Sequence, residues 1–359
     1  MSKALDVSPQ VQAVALRAIL QLPQPLRRLI AGAPIRLDGN ELALDAQLLL
    51  RLQRMIGHDG LSAPTPEIAR AAMVQSNKLM TFNRLGGVSV GERRIPTPSG
   101  ELAARLYRPA EVAGPGPLLI FYHGGGFVVG DIETHDDACR FLARQAGIRV
   151  LSVDYRLAPE HRFPAAFDDA LAAFRFAADN AEALGTTPES IAVGGDSAGG
   201  NLAAVVSYAT RSEEIRPAFQ LLVYPAVDAT RRRRSRELFG RGFLLTDADI
   251  DWFMANYVPE VGERGDHRLS VLLAEDLTGL PPAYVVTAGF DPLRDEGEAY
   301  VQRLKESGVP VIDRRFEDLI HGFMNLRQAG GRFQEAMVEI ASTLRAGLAL
   351  RAGRLQDQP

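Results

Sequence analysis

The chain has 359 residues, of which 46% are hydrophobic and 23% charged, and it carries a net charge of -4 at pH 7. This mixture predicts a soluble globular protein. No apolar run approaches the roughly 20 residues that a membrane helix needs, so we expect no stable membrane anchor. The slightly acidic balance argues against a nucleic-acid partner.

Cysteine usage and the N-terminal residues bear on cellular location. Cys139 is the only cysteine, which excludes an internal disulfide framework and a cysteine-based zinc cluster. We expect it to be a small buried hydrophobic residue. The first residues lack the basic start, apolar stretch and cleavage site of a signal peptide. These features predict a cytoplasmic protein.

Residues 1–85 have the pattern of helices without strands. Ser8 and Pro9 resemble an N-cap followed by proline at the first helical position. Residues 41–54 and 66–80 repeat apolar side chains at helical spacing. We therefore predict an N-terminal helical cap segment over residues 1–85.

A different pattern begins near Val88. Residues 88–95 and 102–107 flank a Pro-Ser-Gly turn, which predicts an antiparallel hairpin. Short apolar runs then alternate with helical patterns, the clearest of which closes the chain after Phe333. The expected further strands are residues 118–122, 150–153, 191–193, 219–224, 284–287 and 311–316, and the expected helices between them include 136–145 and 164–176. This alternation predicts a mostly parallel sheet flanked by helices, built from residues 86–226 and 276–359.

The alternation breaks over residues 227–275. Arg231 to Arg234 form a basic run, which we interpret as a solvated loop surface, and Thr246 is an expected cap of a helix. We predict an inserted helical cap segment that, together with residues 1–85, covers the loop edge of the sheet. A packed helical excursion without substrate contact is the alternative.

The central motif is Gly-x-Ser-x-Gly at residues 195–199, which follows an apolar run and precedes a helical pattern. A strand, a sharp turn and a helix are the context of a nucleophile elbow, in which the serine hydroxyl is exposed above the sheet. Ser197 is therefore the candidate nucleophile. Taken alone, the pentapeptide is as often a glycine-rich turn.

A serine nucleophile needs donors that stabilise the oxyanion of its intermediate. His123 is followed by three glycines directly after the predicted strand 118–122, where esterases carry a His-Gly-Gly-Gly motif. We expect the backbone N–H groups of Gly125, Gly126 and Ala198 to form the oxyanion hole. A flexible glycine loop is the alternative.

The serine also needs a base, and the expected chain order is serine, acid, histidine. Only His321 follows the last predicted strand, whereas His135 and His161 precede Ser197, and His58 and His267 fall in cap or linker sequence. His123 belongs to the glycine loop, where we expect a structural hydrogen bond. His321 is the candidate base.

Asp291 is the candidate acid because it follows the predicted strand 284–287. Its alternative role is a helix N-cap, since Pro292 comes next. Asp228 is a rival acid after the preceding strand, and Asp295 and Asp318 are weaker candidates.

Five motifs together resemble the bacterial hormone-sensitive lipase family of α/β-hydrolases over roughly residues 86–350. They are His-Gly-Gly-Gly-Phe at 123–127, Asp-Tyr-Arg-Leu-Ala-Pro-Glu at 154–160, Gly-Asp-Ser-Ala-Gly-Gly at 195–200, Asp-Pro-Leu-Arg-Asp-Glu at 291–296 and His-Gly-Phe at 321–323. The resemblance implies the α/β-hydrolase fold, the roles given above for Ser197, His321 and Asp291, and oxyanion donors at Gly125, Gly126 and Ala198. It also implies a helical cap, no cofactor or metal, and a homodimer through the last strand and helix.

The function implied by the resemblance is a carboxylesterase that hydrolyses small-molecule esters with short to medium acyl chains. An amidase or formamidase with the same three side chains is an alternative, and so is a non-catalytic small-molecule receptor on the same fold. Phe127, Phe243 and Trp252 are candidate substrate-pocket residues, with ordinary core packing as the alternative.

Overall fold

The computed structural model describes residues 9–55, 60–112 and 114–356. Ser8, the expected N-cap, and His58 lie outside these residues. The described N-terminal segment contains α1 (Pro9–Leu20), α2 (Gln24–Ala31), β1 (Arg36–Leu37), β2 (Asn40–Glu41), α3 (Leu44–Met55) and α4 (Pro66–Met80). Thr65 caps α4, where its side chain accepts a hydrogen bond from the Ile68 N–H at 3.4 Å.

The pair β1 and β2 corrects the expectation that residues 1–85 contain no strands. Between them, Asp38 and Gly39 form a two-residue loop with φ of 54° and 80°. Asp-Gly is favoured in such a loop because both positions adopt a left-handed backbone. Each strand has only two residues, so no alternating pattern could reveal it.

One eight-stranded sheet forms the centre of the protein. Its strands are β3 (Val88–Thr97), β4 (Gly100–Pro109), β5 (Leu118–Tyr122), β6 (Arg149–Val153), β7 (Ile191–Asp196), β8 (Gln220–Val223), β9 (Ala283–Phe290) and β10 (Val311–Ile320). They lie in the order β10-β9-β8-β7-β5-β6-β4-β3. The pairs β3/β4 and β4/β6 are antiparallel and the other neighbours are parallel. The predicted hairpin and the mostly parallel sheet are confirmed.

Helices cover both faces of this sheet. They are α5 (Asp136–Ala146), α6 (Ala165–Asp179), α7 (Ala181–Leu184), α8 (Ala198–Ala209), α9 (Arg234–Phe239), α10 (Asp247–Tyr257), α11 (Arg294–Glu306) and α12 (Gly331–Gln356). Alternate residues of β5 enter two apolar clusters: Ile120 packs in the cluster that contains residues of α6 and α8, and Phe121 in the one that contains α5 and α12. Every β5 side chain is buried, which is why this strand reads as one continuous apolar run.

Four parallel strands bring the candidate functional residues to one edge of the sheet. His123 follows β5, Ser197 follows β7, Asp291 follows β9 and His321 follows β10. The carboxyl ends of parallel strands meet at a common edge, where α/β enzymes place their ligands. This topology explains how residues that are far apart in the sequence can form one site.

An ion pair and a backbone hydrogen bond join the inserted segment to the N-terminal segment. Asp38 accepts a hydrogen bond from Arg234 at 2.7 Å and pairs with Arg294 at 2.8 Å. Asp249 completes a capping box with Thr246 and also accepts from the Ser62 N–H at 2.7 Å. The basic run Arg231 to Arg234 is therefore not only a solvated loop surface, because Arg234 forms an ion pair with the N-terminal segment.

The residues within these described ranges include no helix with both the length and the apolar character needed to cross a bilayer.

We predict that Asp249→Ala weakens the folded state by about 2 kcal/mol, because the N–H groups of Ser62 and Thr246 lose the buried carboxylate that accepts from both. Denaturant unfolding followed by fluorescence measures the change. Asp251→Ala is the matched control on α10, since Asp251 is half-exposed and pairs with Arg232 and Arg236. Equal losses in the two variants would contradict a special role for Asp249.

Candidate active site

Ser197 occupies the sharp turn between β7 and α8. Its backbone has φ 55° and ψ -118°, a strained conformation that persists only where the surroundings impose it. A side chain at Gly195 or Gly199 would overlap the carbonyl oxygen of Tyr122 at the end of β5. The glycines of the motif are thus required by close backbone packing, and Ser197 is left partly exposed at the sheet edge.

His321 and Asp291 complete a chain of hydrogen bonds with Ser197. His321 Nε2 lies 2.9 Å from Ser197 Oγ, and His321 Nδ1 lies 2.8 Å from Asp291 Oδ2. An ionised carboxylate can only accept, so Nδ1 carries the proton and Nε2 is free to accept from the serine hydroxyl. Asp291 and His321 are both buried, and the Tyr224 ring lies 4.5 Å from the His321 ring.

The second oxygen of Asp291 supports the backbone that follows it. Asp291 Oδ1 accepts a hydrogen bond from the Leu293 N–H at 2.8 Å, and α11 begins only at Arg294. The capping alternative and the proposed acid role thus use different oxygens of one carboxylate.

The rival acids have other partners. Asp228 accepts from Arg233 at 3.0 Å, Asp295 accepts from the Ser235 N–H at 2.8 Å, and Asp318 pairs with Arg332. Of the four candidate acids, the structure places only Asp291 in hydrogen-bond contact with His321.

The glycine loop after β5 and the first residue of α8 leave three backbone donors available. No carbonyl or side chain in the described ranges accepts a hydrogen bond from the N–H groups of Gly125, Gly126 or Ala198. Gly125 and Gly126 have φ of 120° and 59°, values that favour glycine. The Gly124 N–H is already used, since it donates to Asp196 Oδ1 at 2.9 Å. The arrangement can therefore offer donors to a negatively charged oxygen.

Asp196 and His135 support this loop, and no motif in the sequence predicted this role for either. His135 Nε2 lies 3.3 Å from Asp196 Oδ1 inside the core. Burial opposes ionisation of Asp196, but His135 and the Gly124 N–H hold the pKa of the carboxyl below its ordinary value. Asp196 fills the variable position of the serine motif, so only the folded structure identifies it as an anchor of the glycine loop.

His123 makes the structural hydrogen bond that was expected of it. Its Nδ1 lies 2.8 Å from the Gly124 carbonyl oxygen, and its ring stacks on Tyr155 at 4.3 Å. Burial lowers the pKa of His123 to about 4, so this side chain stays neutral at pH 7.

The candidate pocket residues lie in different surroundings. Phe127 is buried and stacks on Tyr257 at 4.1 Å, whereas Phe243 packs against Phe239 and Phe290. Trp252 is partly buried on α10, beside Phe253. Their contribution to a substrate pocket stays a prediction.

Phe253 is a further aromatic residue at the site, which sequence reasoning treated only as part of a helix face. A side chain at Gly126 would overlap the Phe253 ring. The inserted segment thus places an apolar wall directly against the glycine loop. Helical periodicity indicated that Phe253 is buried but not which surface it covers.

Within the described ranges, histidine, cysteine, aspartate and glutamate side chains form no group of three or more that could hold a metal ion. Cys139 is buried, which confirms the prediction of a small buried residue.

Comparison with known proteins agrees with this fold. A family model described as an alpha/beta hydrolase fold matches residues 119–325. The carboxylic ester hydrolase LipN of Mycobacterium tuberculosis is 46% identical over 93% of this chain and 91% of its own length. The ethyl acetate hydrolase of Pseudomonas putida is 39% identical over 78% of this chain and 90% of its own length. The ester-hydrolase EH1AB1 from the metagenome of Lake Arreo, solved with a bipyridine phosphonate derivative, is 45% identical with a TM-score of 0.81, covering 86% of this chain and 99% of that one.

The fold and these similarities define an α/β-hydrolase. The chain belongs to the hormone-sensitive lipase family of α/β-hydrolase esterases. It is accordingly a serine carboxylesterase, which favours catalysis over the receptor alternative.

Glu296 gives a pH-dependent prediction because it is buried next to the site. Its Oε1 accepts from the Val227 N–H at 2.8 Å. Burial, together with the charges of Asp228 and Asp291, raises the pKa of Glu296 from 4.5 to about 8. Between these two values the folded state binds more protons than the unfolded state, so the stability contribution of this group falls as pH rises.

We predict that Glu296→Gln removes this pH dependence, since the amide keeps an oxygen for Val227 but cannot ionise. The melting temperature of the variant relative to wild type should increase from pH 5 to about pH 8 and level off by pH 9. Scanning calorimetry across that range measures the difference. A difference that is the same at both ends of the range would contradict the assignment.

Proposed function

We propose that the protein hydrolyses small-molecule esters with short to medium acyl chains, with Ser197 as nucleophile, His321 as base and Asp291 as acid. The observation that carries this proposal is the continuous pair of hydrogen bonds, at 2.9 Å and 2.8 Å, that links the three side chains. A serine hydroxyl is a weak nucleophile until such a base accepts its proton.

In the proposed first half-reaction, His321 Nε2 takes the Ser197 proton while Oγ bonds to the ester carbonyl carbon. The carbonyl electrons move to oxygen, and the N–H groups of Gly125, Gly126 and Ala198 form the oxyanion hole that stabilises that charge. Asp291 holds the imidazole in its tautomer and stabilises the imidazolium. The intermediate then collapses, the bond to the alcohol oxygen breaks, and the alcohol leaves with the proton from Nε2.

Water completes the proposed cycle. His321 removes a proton from the water molecule as its oxygen attacks the acyl carbon of the acyl-enzyme. Collapse of the second intermediate breaks the bond to Ser197 Oγ, returns the proton to the serine and releases the carboxylic acid. All protons are transferred through His321, so the chemistry requires no cofactor.

Two observations support a limit on acyl length. Phe253 closes over the glycine loop, which puts an apolar wall near the proposed oxyanion hole. The Pseudomonas putida relative is named for ethyl acetate, an ester of a two-carbon acid. We propose that Phe127, Phe243 and Trp252 line other parts of the substrate pocket.

The domain division and the oligomeric state are further proposals. We propose residues 86–226 and 276–359 as the catalytic domain, and residues 1–85 and 227–275 as the two cap segments. A homodimer through β10 and α12 is supported by the position of β10 at the sheet edge and by the exposed apolar Ile312 and Val338. A cytoplasmic location and the absence of a nucleic-acid partner stay predictions from the sequence.

We predict that Ser197→Ala and His321→Ala each lower kcat by on the order of a millionfold, because the two residues act as one unit. Asp291→Asn should cost less, roughly ten thousandfold, through loss of the correct imidazole tautomer. Hydrolysis of p-nitrophenyl butyrate measures all three. Asp228→Asn is the matched control and should keep kcat within the same order of magnitude; a larger loss there than in Asp291→Asn would reverse the assignment of the acid.

We predict that kcat/KM in a p-nitrophenyl ester series, from acetate to palmitate, is highest at short to medium acyl length. Trp252→Ala should move the optimum toward longer chains, since losing one large apolar wall changes acyl discrimination by about tenfold or more. An amide series run in parallel tests the amidase alternative. Unchanged profiles in Trp252→Ala, Phe127→Ala and Phe243→Ala would remove these residues from the pocket.

A further inference from the structure

Arg70 on α4 extends from the N-terminal segment to the loops around the glycine motif. Its Nε donates to the Val128 carbonyl oxygen at 2.8 Å, and its Nη2 donates to the Ala158 carbonyl oxygen at 2.8 Å. The guanidinium also binds both oxygens of Glu160, at 2.8 Å and 2.7 Å. One side chain thus contacts three acceptors on two different loops.

The two carbonyl groups depend on this contact. Val128 and Ala158 are both fully buried, and no other group in the described ranges donates to either carbonyl oxygen. A buried carbonyl without a donor is destabilising. The loops are also bonded to each other, since the Ala158 N–H donates to the Phe127 carbonyl oxygen at 2.9 Å. Arg70 therefore closes a small network that contains the glycine turn.

The glycine turn needs such support because of its backbone. Gly125, Gly126, Phe127 and Gly130 all have positive φ, and for Phe127 the value of 64° is unfavourable. The Val128 and Val129 N–H groups both donate to the Gly125 carbonyl oxygen. Strained backbone persists only where its surroundings over-determine it. A donor to the Val128 carbonyl fixes the far end of this turn.

We propose that Arg70 is a positioning residue for the oxyanion hole: the N-terminal segment, through this guanidinium, holds the turn that aims the Gly125 and Gly126 N–H groups. The inference rests on the proposed role of these two amides. It gives residues 1–85 a part in transition-state stabilisation, beyond covering the substrate. Asn77, also on α4, makes a second contact of this kind, because its Nδ2 donates to the Thr134 carbonyl oxygen at 2.7 Å.

Glu160 orients the guanidinium. The Arg70 hydrogen bonds lower the pKa of Glu160 to about 2, so the pair stays ionised throughout the working range of an esterase. The carboxylate is half-exposed, and exposed ion pairs contribute little to stability by themselves. What separates Arg70 from an ordinary surface ion pair is its contact with the two buried carbonyl groups.

Arg70→Met tests the proposal because it keeps an apolar stem of similar length and removes every donor. Arg70→Lys keeps the charge, but its single ammonium group cannot replace the planar guanidinium, which donates to two carbonyl groups and one carboxylate. Arg314→Met is the matched control: Arg314 has similar exposure, pairs with Glu339 at 2.7 Å and donates to the Arg315 carbonyl oxygen, on β10 away from the glycine turn. Melting temperatures check that all variants fold.

The first measurement compares a p-nitrophenyl ester with its thionoester, in which sulfur replaces the carbonyl oxygen. Sulfur is a weak hydrogen-bond acceptor, so a working oxyanion hole favours the ester. We expect Arg70→Met to lower kcat for the ester at least about tenfold, since loss of one oxyanion donor costs about a hundredfold or more. KM should change little, and the preference for the ester over the thionoester should fall. Arg70→Lys should lie between, and Arg314→Met should match wild type.

Two results would overturn the proposal: a folded Arg70→Met with wild-type kcat, or equal losses for ester and thionoester, which would indicate a merely structural role. Hydrogen exchange provides a second test of the proposal that does not depend on esterase activity. Amides in residues 124–130 should exchange at least tenfold faster in Arg70→Met than in Arg314→Met, and equal rates would also count against it. If wild type does not hydrolyse esters, the proposed function fails, while the exchange result still decides whether Arg70 holds the turn.

Discussion

The site depends on how closely the turn after β7 approaches the end of β5. Side chains at Gly195 and Gly199 would overlap the Tyr122 carbonyl oxygen, so the two backbones are in direct contact. Ser197 lies in the first of these two backbone segments, and the loop of Gly125 and Gly126 directly follows the second. This close backbone packing thereby sets the distance between the nucleophile and the proposed oxyanion donors.

A second layer of contacts holds this geometry from outside the sheet. Asp196 bonds the glycine loop from within the core, Phe253 of the inserted segment packs on Gly126, and Arg70 of the N-terminal segment binds the end of the same turn. The two proposed cap segments are in turn bonded to each other through Asp249. Direct contacts therefore connect both proposed cap segments to the proposed oxyanion hole, and we expect their packing to affect catalysis as well as substrate size.

The sequence was sufficient where local pattern determines structure. Period-two and helical apolar spacing predicted the sheet and most helices, and motif order predicted that Ser197, Asp291 and His321 lie at the same edge of the sheet. It was insufficient where a side chain acts across the fold. The two-residue strands β1 and β2 are too short for periodicity, and Asp196 occupies a position that the serine motif leaves open. Arg70 lies on an ordinary amphipathic helix, and its role depends on loops that lie 58 and 88 residues further along the chain.

The central claim is that Ser197 forms a covalent bond to the substrate. A p-nitrophenyl alkylphosphonate tests this most directly, because displacement of nitrophenolate leaves a stable phosphonyl group on the nucleophile and mimics the tetrahedral intermediate. Intact-protein and peptide mass spectrometry should find one phosphonyl group per chain, on the peptide that contains Ser197, and none in Ser197→Ala. Modification at another residue, or equal labelling of Ser197→Ala, would contradict the account.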